Sequence, residues 1–135
     1  MTARRIPCVG GIVRDGAGRL LLVQRGHDPE AGRWSLPGGR IEPGETDAEA
    51  LAREMREETG LVVTPGPLVG AVERPGAGGT VLDIRDYEAT VTGGQLAAGD
   101  DAAAARWVAP ADVTALPLTT GLAGALRAWG VLEPE

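Results

Sequence analysis

The sequence predicts an α/β (α+β) fold, a mixed β-sheet sandwiched between α-helices, with residues 1–135 as one domain. Three observations carry that reading. Short apolar, β-rich runs alternate with glycine-rich turns along most of the chain. One strongly charged segment with helical spacing interrupts them after the first third, and a second helical pattern closes the sequence. A chain of 135 residues, 43% of them hydrophobic, suffices for one core and is too apolar for disorder. With 3% aromatic residues and no Phe, that core must be built from Leu, Val, Ile and Ala.

The elements follow in order. Residues 6–13 (IPCVGGIV) and 19–25 (RLLLVQR) read as strands, and the DGAG between them predicts a β-hairpin. After the loop GHDPEAGR, WSLPGG reads as a short strand ending on a glycine pair. A helix over 47–59 is well marked. Thr46 and Glu49 have capping-box spacing, Asp47 and Glu49 suit the positive end of the dipole, and Gly60 is the expected C-cap. Ala48, Leu51, Ala52 and Met55 form its apolar stripe. Strands are expected at 61–64, 68–74, 80–92 and 106–108, with a GAGG turn before the third. PADV at 110–113 begins a helical turn, and 120–129 reads as the closing helix.

Charge narrows the partners. A net charge of −6 argues against a nucleic-acid backbone, whose binding needs excess basic residues. It leaves room for a small anionic substrate if a divalent cation stands between. All 13 basic residues are Arg, which suits phosphate contacts but follows equally from codon bias. The lone Cys8 forbids an intramolecular disulfide and reads as a small buried hydrophobe in a reducing compartment. The start MTARRIPCVGG lacks a signal-peptide core and no apolar run reaches membrane-spanning length, so no membrane partner and a cytoplasmic location are expected. A monomer and a homodimer are both compatible with the sequence.

The stretch Gly38 to Leu61 crowds seven carboxylates and three arginines into one turn and one helix. Residues three and four apart share a helix face, so Glu54, Glu57 and Glu58 project together, and such like-charge pairs cost a few tenths of a kcal/mol each. A solvated acidic face is the ordinary outcome of such a run. A hard cation would reverse the cost, because it seeks several oxygen ligands.

The spacing decides between them. Gly39, five residues, Glu45, seven residues, then Arg53-Glu54-Met55-Arg56-Glu57-Glu58-Thr59-Gly60-Leu61 resembles the signature box of the Nudix hydrolase family at nine defined positions. Such a match is far more specific than a lone glycine-rich loop. The flanking RWSLPGG, the upstream strands and the last helix extend the resemblance over essentially the whole chain, and imply a Nudix fold.

By that resemblance Glu54, Glu57 and Glu58 are the metal-binding carboxylates, with the Gly38 carbonyl a further ligand and Mg²⁺, or Mn²⁺ in its place, as cofactor. Arg53 and Glu45 are implied to be an ion pair clamping loop to helix, and Gly39, Gly44 and Gly60 to serve backbone geometry. The implied activity is hydrolysis of a nucleoside diphosphate linked to another group, in which the metal neutralises phosphate oxygens and activates the attacking water. A carboxylate must take that water's proton. Glu54 is one candidate, and Asp100 or Asp101, about forty residues further on, is another; Glu73 and Glu88 have weaker claims.

Substrate contacts are read from residue type. Arg25, Arg40, Arg74 and Arg85 suit phosphates, Tyr87 suits a base, and Trp34 and Trp107 adjoin core strands and read more as packing. His27 lies in a polar loop flanking the box. The motif set is similar to the ADP-ribose-pyrophosphatase-like branch, and MutT-type nucleoside triphosphate hydrolases share most of it. A silent nucleotide-sensing domain is the remaining alternative, against which the intact box argues.

Overall fold

The computed structural model describes residues 3–99 and 102–134. In chain order the strands are β1 (Arg5–Val13), β2 (Leu20–Arg25), β3 (Trp34–Ser35), β4 (Gly38–Arg40), β5 (Leu61–Pro75), β6 (Val81–Gly94) and β7 (Ala102–Val108). The helices are α1 (Asp47–Thr59), α2 (Pro110–Val113) and α3 (Leu122–Ala128). The strands form two sheets, a mixed one in the order β4-β1-β6-β5 and an antiparallel one in the order β3-β2-β7. The mixed character arises at β1, which runs parallel to β6 and antiparallel to β4.

β1 is buried on both faces because helices cover both sides of the fold. Val9 and Val13 face a core made with Ala50, Leu51 and Met55 of α1. Ile12 faces a second core made with Val113 of α2 and Leu122 and Leu126 of α3. Fully burying Leu51 or Met55 contributes roughly 1.5–3 kcal/mol each. Gly11 makes the close approach possible, since a Cβ there would meet Leu51 and Met55 at 3.3 Å. Cys8 is buried as expected, and burial pushes its thiol pKa up.

The hairpin expectation is corrected. Arg14 and Leu20 form an isolated antiparallel bridge around the turn, where Asp15 accepts the N–H groups of Ala17 and Arg19. The two strands then part, because β4 and β6 take the edges of β1 while β3 and β7 take those of β2. The expected strands at 61–64 and 68–74 are one strand whose register shifts at Val62/Val63, Pro65/Leu68 and Leu68/Gly70. The alanines before Arg106 belong to β7 and pair with β2.

Helix α1 is bounded by local chemistry. Thr46 accepts the Glu49 N–H and Glu49 accepts the Thr46 N–H, while Gly60 caps the other end at φ 75°. Its buried line is Ala50, Leu51, Met55 and Thr59, so Ala48, assigned to the stripe from sequence, is exposed. Thr59 can be buried because its hydroxyl donates to the Met55 carbonyl. Thr46→Ala should lower stability by about 1 kcal/mol. Gly60→Ala should cost more, since the left-handed backbone disfavours a side chain and its Cβ would fall 2.6 Å from the Gln95 carbonyl oxygen. Urea midpoints at unchanged m-value measure both.

Candidate active site

Arg53, at the middle of α1, organises the charged stretch. Its Nε donates to Glu45 Oε2 at 2.6 Å and its Nη2 to Glu45 Oε1 at 2.8 Å, a two-point clamp between the loop and the helix. Nη2 also donates to the Arg40 carbonyl at 3.0 Å, tying the helix to β4. Nη1 reaches Glu54 Oε1 at 2.9 Å and Glu57 Oε2 at 3.1 Å. These bonds hold the Glu45 carboxyl pKa down to about 2, first through the Arg53 hydrogen bonds and then through the Glu42 backbone. The same partners push Arg53 upward.

The glutamates meet β4 at its glycine pair. A Cβ on Gly39 would lie 2.5 Å from Glu54 Cδ, so the missing side chain is the space that carboxyl occupies. The Gly38 N–H donates to Glu58 Oε2 at 3.2 Å, while Glu57 is the outermost, its side chain 60% exposed. Among the described residues no three His, Cys, Asp or Glu already converge as a metal cage, because Arg53 and the Gly38 amide hold these carboxylates. The donor set nevertheless fits a hard divalent cation: three carboxylates within five residues, one seated in a cradle that only glycine leaves open.

On the other face of the glycine pair lies a cavity of about 410 Å³, a size typical of small-molecule sites. Its walls are aliphatic, including Val72, Leu82, Ile84 and Leu122, and none of the described residues lining it is aromatic. Arg25 lines it, with its Nε held by the Pro29 carbonyl at 2.7 Å. At its rim Glu30 accepts the N–H and hydroxyl of Thr120, which links the loop after β2 to the segment before α3.

The other residues expected at the site lie elsewhere. Arg40 is exposed and does not line the cavity, although its carbonyl serves Arg53. Tyr87 faces α1, and its hydroxyl donates to Asp47 Oδ2 at 2.5 Å, beside an Arg85 Nε contact to the same oxygen at 2.7 Å. Both brace the start of α1, and neither lines the cavity. Glu73 and Glu88 pair at the surface with Arg5 and Arg14. Trp34 is core, with Arg106 stacked 5.5 Å from its ring centroid, and Trp107 packs against the α1 core. Asp100 and Asp101 lie outside the described residues; Gly99, which precedes them, donates its N–H to the Glu58 carbonyl at 2.8 Å.

Asp86 was missed from sequence. It lines the cavity at 4% exposure. Gly10 opposite it makes room: a Cβ there would stand 2.1 Å from Asp86 Oδ1. Burial pushes its carboxyl up to about 6, against a smaller downward pull from Arg74. The signal available was its parity with Leu82 and Ile84 on the same strand.

A capped helix that carries three glutamates, two of them against a glycine-paired strand, on a mixed sheet between helices, defines a Nudix-type domain. The family model of the NUDIX domain matches residues 4–129. The chain belongs to the Nudix hydrolase family. It is 42% identical to an ADP-ribose pyrophosphatase of Methanocaldococcus jannaschii over 70% of this chain and 56% of that protein. It is 37% identical to a putative 8-oxo-dGTP diphosphatase of Bacillus subtilis over 73% of this chain and 63% of that protein. The chain thus spans under two thirds of the length of either relative. The fold matches a crystal structure of a MutT protein from Methanosarcina mazei Go1 at TM-score 0.85, with 24% identity and 96% of each chain covered. Among the described residues no helix is long and apolar enough to cross a membrane.

The buried acid has a measurable consequence. Asp86 binds its proton more tightly folded, at about 6, than unfolded, at 3.8. Its contribution therefore favours the fold while it is protonated and is lost as pH rises from about 4 to about 6, by about 3 kcal/mol in all. Glu45 acts oppositely, stabilising above 4.5 and losing that contribution as pH falls through about 2. Asp86→Asn should raise stability at pH 7.5 by about 1–3 kcal/mol. In denaturant titrations that gain should vanish near pH 4.

Proposed function

We propose that this chain is a Mg²⁺-dependent pyrophosphohydrolase, with Mn²⁺ as a substitute. Its substrate is a nucleoside diphosphate linked to another moiety, ADP-ribose or a related nucleotide sugar, cleaved to a nucleoside monophosphate and a phosphorylated remainder. One observation carries the reading: the Gly38–Gly39 pair is a wall shared by the glutamates of α1 and the cavity. A nucleoside seated in the cavity directs its phosphates over a strand that has no side chains to obstruct them.

Glu54, Glu57, Glu58 and the Gly38 carbonyl would hold the cation. When bound, it supplies charge neutralisation at the phosphate oxygens and a more acidic attacking water. Glu54 accepts the proton of that water. Its carboxyl is seated against Gly39, and its helix is fixed by Leu51 and Met55 beneath. Asp101 or Asp100 is the alternative acceptor. Arg53 keeps Glu54 and Glu57 oriented and relieves their mutual repulsion. Arg25 is placed to steady the substrate from the cavity wall. A (deoxy)nucleoside triphosphate is the second reading, favoured by the name of the Bacillus subtilis relative.

A substrate panel with Mg²⁺ covering ADP-ribose, NADH, diadenosine polyphosphates and the (deoxy)nucleoside triphosphates tests the proposal. EDTA should abolish turnover and Mg²⁺ restore it; full activity without metal would refute the mechanism. Glu57→Gln or Glu58→Gln should lower kcat by roughly 10²-fold or more. The proton acceptor is read from pH–rate profiles. Glu54→Gln should cut kcat by several orders of magnitude and flatten the acidic limb, with Asp100→Asn and Asp101→Asn leaving it in place. An aspartate variant that erases the limb would move the base to the loop.

A further inference from the structure

Of the charged groups lining the cavity, Asp86 is one that neither the proposed chemistry nor a hydrogen bond within the described fold uses. Asp86 sits on the inward parity of β6 with Leu82 and Ile84, at 4% exposure, and no hydrogen-bond donor among the described residues reaches its carboxyl. Arg74 also lines the cavity and influences Asp86 by charge, but its guanidinium donates to the carbonyls of Glu73 and Gly121. A carboxyl largely shielded from water and given no donor by the described residues bears a desolvation cost, and a bound N–H would relieve it. Gly10 completes the arrangement, since any side chain there would overlap Asp86 Oδ1.

The apolar walls cannot tell one base from another, and of the other charged groups Arg25 is held by the Pro29 carbonyl, Glu30 by Thr120 and Arg74 by the Glu73 and Gly121 carbonyls. Val72, Leu82, Ile84 and Leu122 offer flat aliphatic contact, and the described lining has no aromatic platform. Discrimination between heterocycles then rests on hydrogen bonding at the ring edge. We propose that Asp86 is the specificity-determining residue of this cavity, accepting an N–H from the exocyclic amino group of the substrate's base. An oxo group at the same ring position would set a lone pair against the carboxylate and leave it without a donor. The other carboxyl lining the cavity, Glu30, is engaged by Thr120, which leaves Asp86 short of the several oxygen ligands a cation needs, so the expected occupant is a neutral, amino-bearing ring.

The role rests on the nucleotide reading above, and matched pairs differing only in amino or oxo substitution separate the two. Kinetics should be measured for ADP-ribose against inosine diphosphate ribose, ATP against ITP, and CTP against UTP. Wild-type kcat/KM should favour the amino member of each pair that is turned over by about 10- to 10²-fold. Asp86→Asn can present either its oxygen or its N–H, so it should hold the amino substrate, raise the oxo substrate, and bring the ratio near one. Asp86→Ala should reach the same ratio by lowering the amino substrate. A merely structural role would lower both members alike and leave the ratio intact. That result, or a wild type indifferent to the exchange, overturns the role of Asp86 while the nucleotide reading stands. Turnover of no nucleotide at all overturns both.

Discussion

The two-point bond between Arg53 and Glu45 is the constraint on which the charged half of the molecule depends. Helix α1 carries Glu54, Glu57 and Glu58 on neighbouring positions, an arrangement that repels itself. One guanidinium resolves much of this, spending two donors on Glu45, sharing Nη1 between Glu54 and Glu57, and reaching the Arg40 carbonyl of β4. The loop, the helix and the strand edge are thereby fixed relative to one another. A lysine has the charge but not the planar fork, and could not hold these partners in the same geometry. The arginine is needed for its shape as much as for its charge.

Once the helix is held, the distance between carboxylates and cavity is set by the absence of side chains. Gly11 lets α1 settle onto β1, Gly39 receives the Glu54 carboxyl, and Gly10 clears space for Asp86 on the opposite face. Each glycine removes an obstruction between layers that ordinary strand residues would keep further apart. These glycines meet where β1 and β4 pair, at Val9 with Gly39 and Gly10 with Gly38. A ligand can therefore lie in the cavity on one side of this seam while its extension reaches the helix glutamates on the other.

What was legible in the sequence follows the range of the interactions. The capping box, the Gly60 cap and the spacing from Glu45 to Arg53 are local or fixed by helical period, and each is found where the sequence placed it. Pairing between strands is not local. DGAG marks a turn correctly but says nothing about β4 and β6 competing for the edges of β1. The placement of Tyr87 away from the cavity has the same origin. Both faces of β6 are covered, so alternation marks two faces without naming which one meets the cavity. A step of one position exchanges Tyr87, bonded to Asp47, for Asp86, which faces the cavity.

The two acidic features differ in a way that separates structure from recognition. Glu45 is depressed to about 2 because its partners are present in the fold, so its charge is satisfied before any ligand arrives. Asp86 is raised to about 6 because burial outweighs the pull of Arg74, so a hydrogen-bond donor for it would come from a ligand. A fold selected for stability alone would place a hydrophobic residue between Ile84 and Glu88 at that parity, and the aliphatic walls around it would accept one. An aspartate there weakens the fold near neutral pH and gives the cavity an acceptor beside its aliphatic walls. Stability and selectivity pull against each other at this one side chain, whereas at Arg53 the same contacts serve both.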